Sequence, residues 1–494
     1  MTATSQRAPT AHARDDLLLL LSAIAVAGIG VWFVSLAHQP GWWMVPVDMV
    51  VYLNAGQIVR GVPPAFNPRL ASPLYDWPGP AHLHGLLFTY PPFSALLFAP
   101  MAFLRPRMLA EIETGLDVLA LVAVMWIAFR SLGVQAGPRR ISLTLLATAV
   151  ALFIEPVQRT IYLGQIDLLL MALVVWDLCQ PDKRWWQGAG VGLAAGIKLT
   201  PLIFIPYLLV TRRYRQAGVA SFVFALTVAI GFWVLPNDSG MYWFHALFLD
   251  GSRAGNVFWN GNQSLFGLIS RLMASTAVQP AYLAGAAAAL VLSLAGAAVL
   301  DRTGHRLLGL ATVALAALLI SPISWDHHWV WIVLVIPLLV GYAIRLRRTL
   351  RWLCLLLAVA VTGIFGAWPT TLWGEVKIVK GWSRGVIWEP PSDATTEYGW
   401  HGTELLVGNA YVLTGMLLFL LLLAVAAWQA LRLGRGRRGE RRSRAADSRP
   451  AAAEHDRPGV RPDRLPTPAT GPGDPAGLAS CERYYKPPGP YSAS

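Results

Sequence analysis

A chain of 494 residues that is 55% hydrophobic and only 14% charged has more apolar side chains than a soluble domain uses. Its apolar runs recur at the length that crosses a hydrocarbon core, and they are continuous rather than alternating, which excludes a transmembrane β-barrel. The net charge of +13 gathers at the ends of those runs and in the carboxy-terminal tail, so it follows the positive-inside rule and is not the footprint of a nucleic-acid surface.

In chain order, residues 1–15 are polar, carry Arg7 and Arg14, and are expected on the cytoplasmic side. The run from Leu17 to Ala37 is longer than a usual signal core and is followed by further runs, so an uncleaved first helix is expected in spite of the cleavage-like Ser35-Leu36-Ala37. Residues 38–87 then form a long first outer loop. It opens with His38-Gln39-Pro40-Gly41-Trp42-Trp43, whose paired indoles read as an interfacial belt. From Asp48 to Arg60 the apolar spacing predicts a short helix in the interface plane that stops at Gly61. Asp48 has two readings here: an N-cap that satisfies a free amide of the first turn, or a general base at the membrane surface.

Apolar runs follow at about 88–104, 109–131 and 141–154. Charge places Gln165 outside and Asp182-Lys183-Arg184 inside, which demands an even number of crossings between Asp48 and Gln165, so one of the three runs must be short, re-entrant or surface-lying. The stretch from Arg184 to Arg212 has basic residues at both ends and Lys198-Leu199-Thr200-Pro201 in the middle. Two ends on one side need two passes, so a pair of half-length helices meeting near Lys198 is expected. Beyond Gln216 the runs alternate more simply, with outer segments at Trp259 to Ser264, at Ser321 to His328 and around Lys377 and Lys380. The expectation is an all-α polytopic membrane protein of about twelve crossings, with residues 16–431 as the membrane domain and both termini cytoplasmic. Residues 432–494 are Arg-, Pro- and Ala-rich without apolar period, and read as a disordered cytoplasmic tail whose first residues either hold anionic lipid or merely stop transfer. Cys179, Cys354 and Cys481 are too scattered for a disulfide framework or a cysteine metal site.

The candidate polar groups are all assigned to the outer face or near it: Asp48, Tyr90, Gln165, Lys198, Asn262, Gln263, Asp326, His327, His328, Lys377 and Lys380. Polar groups at membrane depth are costly unless they share a cavity or a partner, so their convergence points to one site. His327 and His328 have a bland reading as interfacial decoration beside Trp325, Trp329 and Trp331, and a functional one as donors to a phosphate. Neighbouring helical side chains diverge by about 100°, so one of the two is expected to face a given cavity. Lys198 has no acid within a turn; it either snorkels to headgroups or pairs with a lipid phosphate. No metal and no cofactor is assigned, Asp76 and Asp326 being the acids nearest to such a role.

The segments VDMVVYLNAG, FTYPPF, YLGQIDLLL, GLAAGIKLTPL, GNQSLFGLISR and SPISWDHHWVW together resemble glycosyltransferase family 87, polyprenol-phosphate-mannose-dependent α-(1→2)-mannosyltransferases of the GT-C fold class, over roughly residues 15–430. The resemblance implies an enzyme of the plasma membrane with its active site on the extracytoplasmic face. It implies Asp48 as the catalytic base in the first outer loop and a role for the His327-His328 pair. It further implies a polyprenyl-phosphate mannose donor, a glycolipid acceptor of the phosphatidylinositol mannoside or lipomannan type, and inversion in one displacement. Tyr90, Gln165, Lys198, Asn262, Gln263, Lys377 and Lys380 are the candidates for holding donor or acceptor. Two other readings stay open on the residues alone: a flippase for a lipid-linked sugar, and a GT-C enzyme using another lipid-phosphate sugar.

Overall fold

A computed structural model describes residues 9–37, 47–61, 72–76, 86–180, 184–368, 370 and 384–447. Among the described residues the chain is helical, with isolated antiparallel bridges at Ile154 with Gly366, Asn262 with Trp325, and Trp368 with Arg384 in place of any sheet. Met1–Gly436 forms one compact unit and Arg437–Ser494 another.

The amino-terminal half runs α1 (Pro9–Ala37), α2 (Val47–Val59), α3 (Pro73–Asp76), α4 (Pro92–Phe98), α5 (Pro106–Ser131), α6 (Pro138–Phe153), α7 (Glu155–Leu163), α8 (Asp167–Leu178), α9 (Ala189–Ile197) and α10 (Phe204–Val210). Proline opens α4, α5 and α6, where its missing N–H would have had no helical partner anyway. The run at 88–104 is short: α4 and the 3-10 turn Ala99–Phe103 make a stub, whereas α5 has 26 residues and is long and apolar enough to cross a membrane, and α6 has 16. Against α6, α1 packs through small residues, Ser22 donating to the Ser142 carbonyl at 3.2 Å. Gly164 adopts φ 69° and ends α7, and the chain then bends by 116° into α8.

The stretch around Lys198 is a hairpin of two half-length helices. A Cβ on Gly188, Gly192 or Gly196 would fall 2.1 Å from the Gln216 carbonyl, 2.4 Å from the Ala220 carbonyl or 2.3 Å from Thr227 Oγ1. Gly188 at the head of α9 and Gly192 and Gly196 within it therefore meet successive positions of α11 (Tyr214–Val234) in the same order, so the two helices run parallel and closely packed. The end of α10 turns through Thr211–Arg213 into the start of α11, which brings both outer ends of the pair to the same level. Lys198, extended at φ −143°, is the apex. Asp177 of α8 anchors the near end by accepting from the Gly188 and Val191 amides at 2.9 and 3.0 Å.

The rest comprises α12 (Pro236–Phe244), α13 (Leu265–Met273), α14 (Gln279–Arg302), α15 (Arg306–Ile320), the 3-10 segment Asp326–Leu334 running into α16 (Val335–Ala343), α17 (Arg348–Ile364), α18 (Thr403–Gly408) and α19 (Ala410–Asp447). Five stretches are long and apolar enough to cross a membrane: α5, α11, α14, residues 326–343, and Ala410–Gly434 of α19. The bent pair α7–α8 makes up to six. Shorter apolar helices of 10–17 residues lie within α1 and at α2, Pro92–Phe103, Thr200–Val210 and α15, so the described residues hold five or six candidate spans where about twelve crossings were expected. At the carboxy-terminal end the structure corrects the reading from Arg432 onward. Helix α19 continues to Asp447, because Arg, Ala and Glu are good helix formers whatever their solubility, and residues 448–494 lie outside the described residues.

Candidate active site

Asp48 lies inside the first turn of α2, after Val47, rather than ahead of the helix as a cap. Its Oδ2 accepts from Gln165 Nε2 at 2.8 Å. Tyr52, one turn further along the same helical face, donates to Gln165 Oε1 at 2.7 Å; Tyr90 donates to the same oxygen at 2.9 Å, and the two phenol oxygens are 2.8 Å apart. Gln165 is thus oriented by two hydroxyls so that its amide, and not its carbonyl, points at the carboxylate. Burial pushes the phenols of Tyr52 and Tyr90 above their ordinary range, with Lys198 offsetting part of the effect at Tyr90, so both remain protonated donors at neutral pH.

Local sequence builds this corner. Gly56 of α2 sits so close to α4 that a Cβ would lie 2.4 Å from the Phe98 carbonyl, which fixes α2 on the stub. Tyr75 donates to the Tyr90 carbonyl at 2.7 Å, and Tyr52 stacks on Phe98 at 4.5 Å. On the other side, the turn at Gly164 presents Gln165 and Asp167 to the same space.

Lys198 faces that space from the hairpin apex. Its ammonium is 2.6 Å from Asp167 Oδ1, 3.1 Å from His328 Nε2 and 5.6 Å from the Tyr90 ring centroid. No acid lies within a turn of Lys198, but Asp167, 31 positions away, is its partner. Asp167, His328, Thr200, Phe204 and Trp331 line a narrow cavity with it. His327 and His328 stand edge to face, centroids 4.6 Å apart, and diverge because the segment is a 3-10 helix. His328 reaches Lys198, whereas His327 turns its Nδ1 to Asp326 Oδ1 at 3.2 Å and its buried Nε2 has no hydrogen-bond partner among the described residues. Arg159 of α7 pairs with Asp326 at 3.3 Å.

One polar ligand group also emerges. Asp167, His327 and His328 each offer an atom within 4.8 Å of the others, a geometry that a divalent ion can use. The Lys198 ammonium stands at hydrogen-bonding distance from two of these three residues, so the chain already places a cation there.

Of the candidates, Asp48, Tyr90, Gln165, Lys198, His327 and His328 are brought together. Asn262 and Gln263 are not. Both are fully buried and bonded to main chain: Asn262 donates to the Val257 and Pro322 carbonyls at 3.1 and 3.2 Å, and Gln263 to the Asn260 and Gly408 carbonyls. Their effect on the site is indirect, since Asn262 Oδ1 accepts from the Ser324 amide at 3.0 Å and so holds the segment that leads into His327. Lys377 and Lys380 lie outside the described residues. Sequence reasoning passed over Tyr52, Asp167 and Arg159. The signal for Asp167 was present: an acid at the head of an apolar run, two residues from Gln165, needs a partner.

Residues 88–322 match glycosyltransferase family 87. The chain is 33% identical over 362 residues to a polyprenol-phosphate-mannose-dependent alpha-(1-2)-phosphatidylinositol pentamannoside mannosyltransferase of Mycobacterium tuberculosis (strain CDC 1551 / Oshkosh), covering 72% of this chain and 80% of the relative. It is 34% identical over 331 residues to the protein of that same description from Mycolicibacterium smegmatis, covering 65% and 77%. A polyprenol-phosphate-mannose-dependent alpha-(1-2)-phosphatidylinositol mannoside mannosyltransferase of Mycolicibacterium smegmatis is 28% identical over 69% of this chain and 77% of its own.

Proposed function

The chain belongs to glycosyltransferase family 87, and from that premise we propose that it is a membrane-bound mannosyltransferase that moves mannose from polyprenyl-phosphate mannose to the 2-hydroxyl of a mannose on a phosphatidylinositol mannoside. The acceptor oxygen attacks the anomeric carbon, the bond from that carbon to the phosphate oxygen breaks with its electron pair passing to the phosphate, and the configuration inverts from β to α. Asp48 takes the hydroxyl proton. The Gln165 amide holds one carboxylate oxygen and leaves the other to act as base. Lys198 has three N–H donors and gives two directions to Asp167 and His328, so a third remains for the departing phosphate; His328 is the histidine of the pair on that side.

The observation that carries this reading is the continuous contact from Asp48 through Gln165 and Tyr90 to Lys198 and His328, which sets an anion and a cation around one space at the mouth of a lipid-facing bundle. Both substrates are amphiphiles, which explains a site among helices rather than in a soluble domain. The reading includes a GT-C architecture, an extracytoplasmic site and cytoplasmic termini, in accord with the basic residues at Arg184 and at Arg212 to Arg215, at the hairpin's outer ends.

The test is transfer by the purified protein in detergent, where no gradient can drive transport. Radiolabelled polyprenyl-phosphate mannose and phosphatidylinositol mannoside acceptors of increasing length are expected to give an α-(1→2) product. Asp48→Asn, nearly isosteric, is expected to lower the rate by at least a hundredfold at unchanged expression, the usual scale of a general base. A wild-type rate in that variant would remove Asp48 from the mechanism.

A further inference from the structure

The helices that carry the active site at one end enclose a second, larger pocket at the other. Asp167 opens α8 and Cys179 follows its last residue, so the two ends are separated by the twelve residues of α8, roughly 18 Å at 1.5 Å per residue. The segment that begins at His328 likewise ends near Tyr342 and Arg345, and α15, whose far end approaches Ser324, begins at Arg306. Around these distal ends lies a pocket of about 690 Å³ lined by Arg130, Arg306, Arg345, His305, Tyr342 and Cys179 together with leucines. No acid lines it. Arg306 is 3.6 Å from Asp301, which also pairs with Arg213.

Cations at helix carboxyl ends are ordinary, because the macrodipole favours them and the positive-inside rule gathers them on one side. Those rules account for the charge but not for a concavity. A guanidinium has five N–H donors. Arg130 uses one on the Cys179 carbonyl at 3.1 Å, and the Arg345 side chain makes no hydrogen bond or ion pair among the described residues. Two forks thus face a space large enough for a headgroup, since pockets of 300 to 1,000 Å³ are typical of small-molecule sites. Leu132, Leu307 and Leu308 give the lining an apolar side, and the stacked Trp176 and Trp186, centroids 5.0 Å apart, mark the headgroup level near the same end of α8.

We propose that this pocket binds the phosphate of an anionic membrane phospholipid, held by Arg130 and Arg345 with its acyl chains along the bundle. The site is separate from the transfer reaction, and its fate does not depend on that reading. Purified full-length protein is titrated with dioleoyl phosphatidylglycerol and the bound adducts are counted by native mass spectrometry. One tight adduct is expected, weakened at least fivefold in Arg130→Ala/Arg345→Ala and unchanged in Arg347→Ala/Arg348→Ala, which removes two exposed cations outside the pocket. Equal weakening in both pairs, or none in either, overturns the proposal. Displacement of the lipid by sn-glycerol 3-phosphate at equal concentration would assign the pocket to a soluble phosphate instead and overturn it too. Arg345→Gln alone removes an exposed group and keeps the test valid should the double variant fail to fold; about threefold weakening is expected, and an unchanged affinity counts against the site.

Discussion

Around Arg271 the buried polar side chains meet main chain, whereas around Lys198 they meet one another. The Arg271 guanidinium, 1% exposed, donates to the carbonyls of Phe258, Trp259 and Asn262 and to Asn409 Oδ1, and Gln263 accepts from the Val412 amide while donating to two carbonyls. Burial pulls this guanidinium down to about 9, with the Glu397 carboxylate offsetting part of the cost, while its direct hydrogen bonds go to neutral oxygens. Such a knot has little capacity left for a ligand. The Lys198 cluster is built from groups whose donors and acceptors are only partly used, with a full negative charge and a full positive charge a few side chains apart. The same residue types therefore fasten in one place and receive in the other, and the difference lies in what their polar atoms already touch.

Substitutions separate the two regions. Arg271→Met removes a donor from four oxygens, of which the Trp259 carbonyl keeps the Asn262 amide, and at about 1 to 3 kcal/mol for each unsatisfied group a loss of several kcal/mol of stability is expected, read as a lowered thermal midpoint with unchanged turnover per folded molecule. Turnover that collapses while the midpoint holds would make the knot a binding element. Next in size, Lys198→Met keeps the length of the side chain and removes the charge. A drop in kcat of about a hundredfold, or ~2.7 kcal/mol of barrier, is expected with KM less affected, as for the loss of one electrostatic stabiliser. Gln165→Leu, measured in the same assay, should cost about tenfold in kcat/KM, since Asp48 keeps its charge but loses the hydrogen bond that orients it; about 1.4 kcal/mol is the scale of one such bond. The smallest effect is expected from Gly164→Ala. The left-handed φ of 69° then carries a Cβ penalty of about 1 kcal/mol, seen as a modest fall in midpoint.

How far the sequence reaches can be judged residue by residue. The charge rule alone required a short segment among three apolar runs and a turned-back pair near Lys198, and both are present, because basic ends restrict topology whatever the packing. The gathering of Asp48, Tyr90, Gln165, Lys198 and His328 followed from the cost of polar groups at membrane depth. That same cost does not distinguish a receiving group from a fastening one, so Asn262 and Gln263 read alike with Gln165 until their main-chain partners are seen. The need of Asp167 for a partner was legible, but the identity of that partner was not. Its partner is distant in the chain, and no spacing rule connects a helix start to the apex of another hairpin.

Gly188 and Gly192 bring the α9 segment onto the backbone of α11, Gly196 meets the Thr227 side chain there, and Gly190 lies against the Asp177 side chain of α8. With almost no side chain between them, these three helices have little freedom to slide past one another. A packing this close is expected to move as one body, which keeps the Lys198 ammonium beside Asp167.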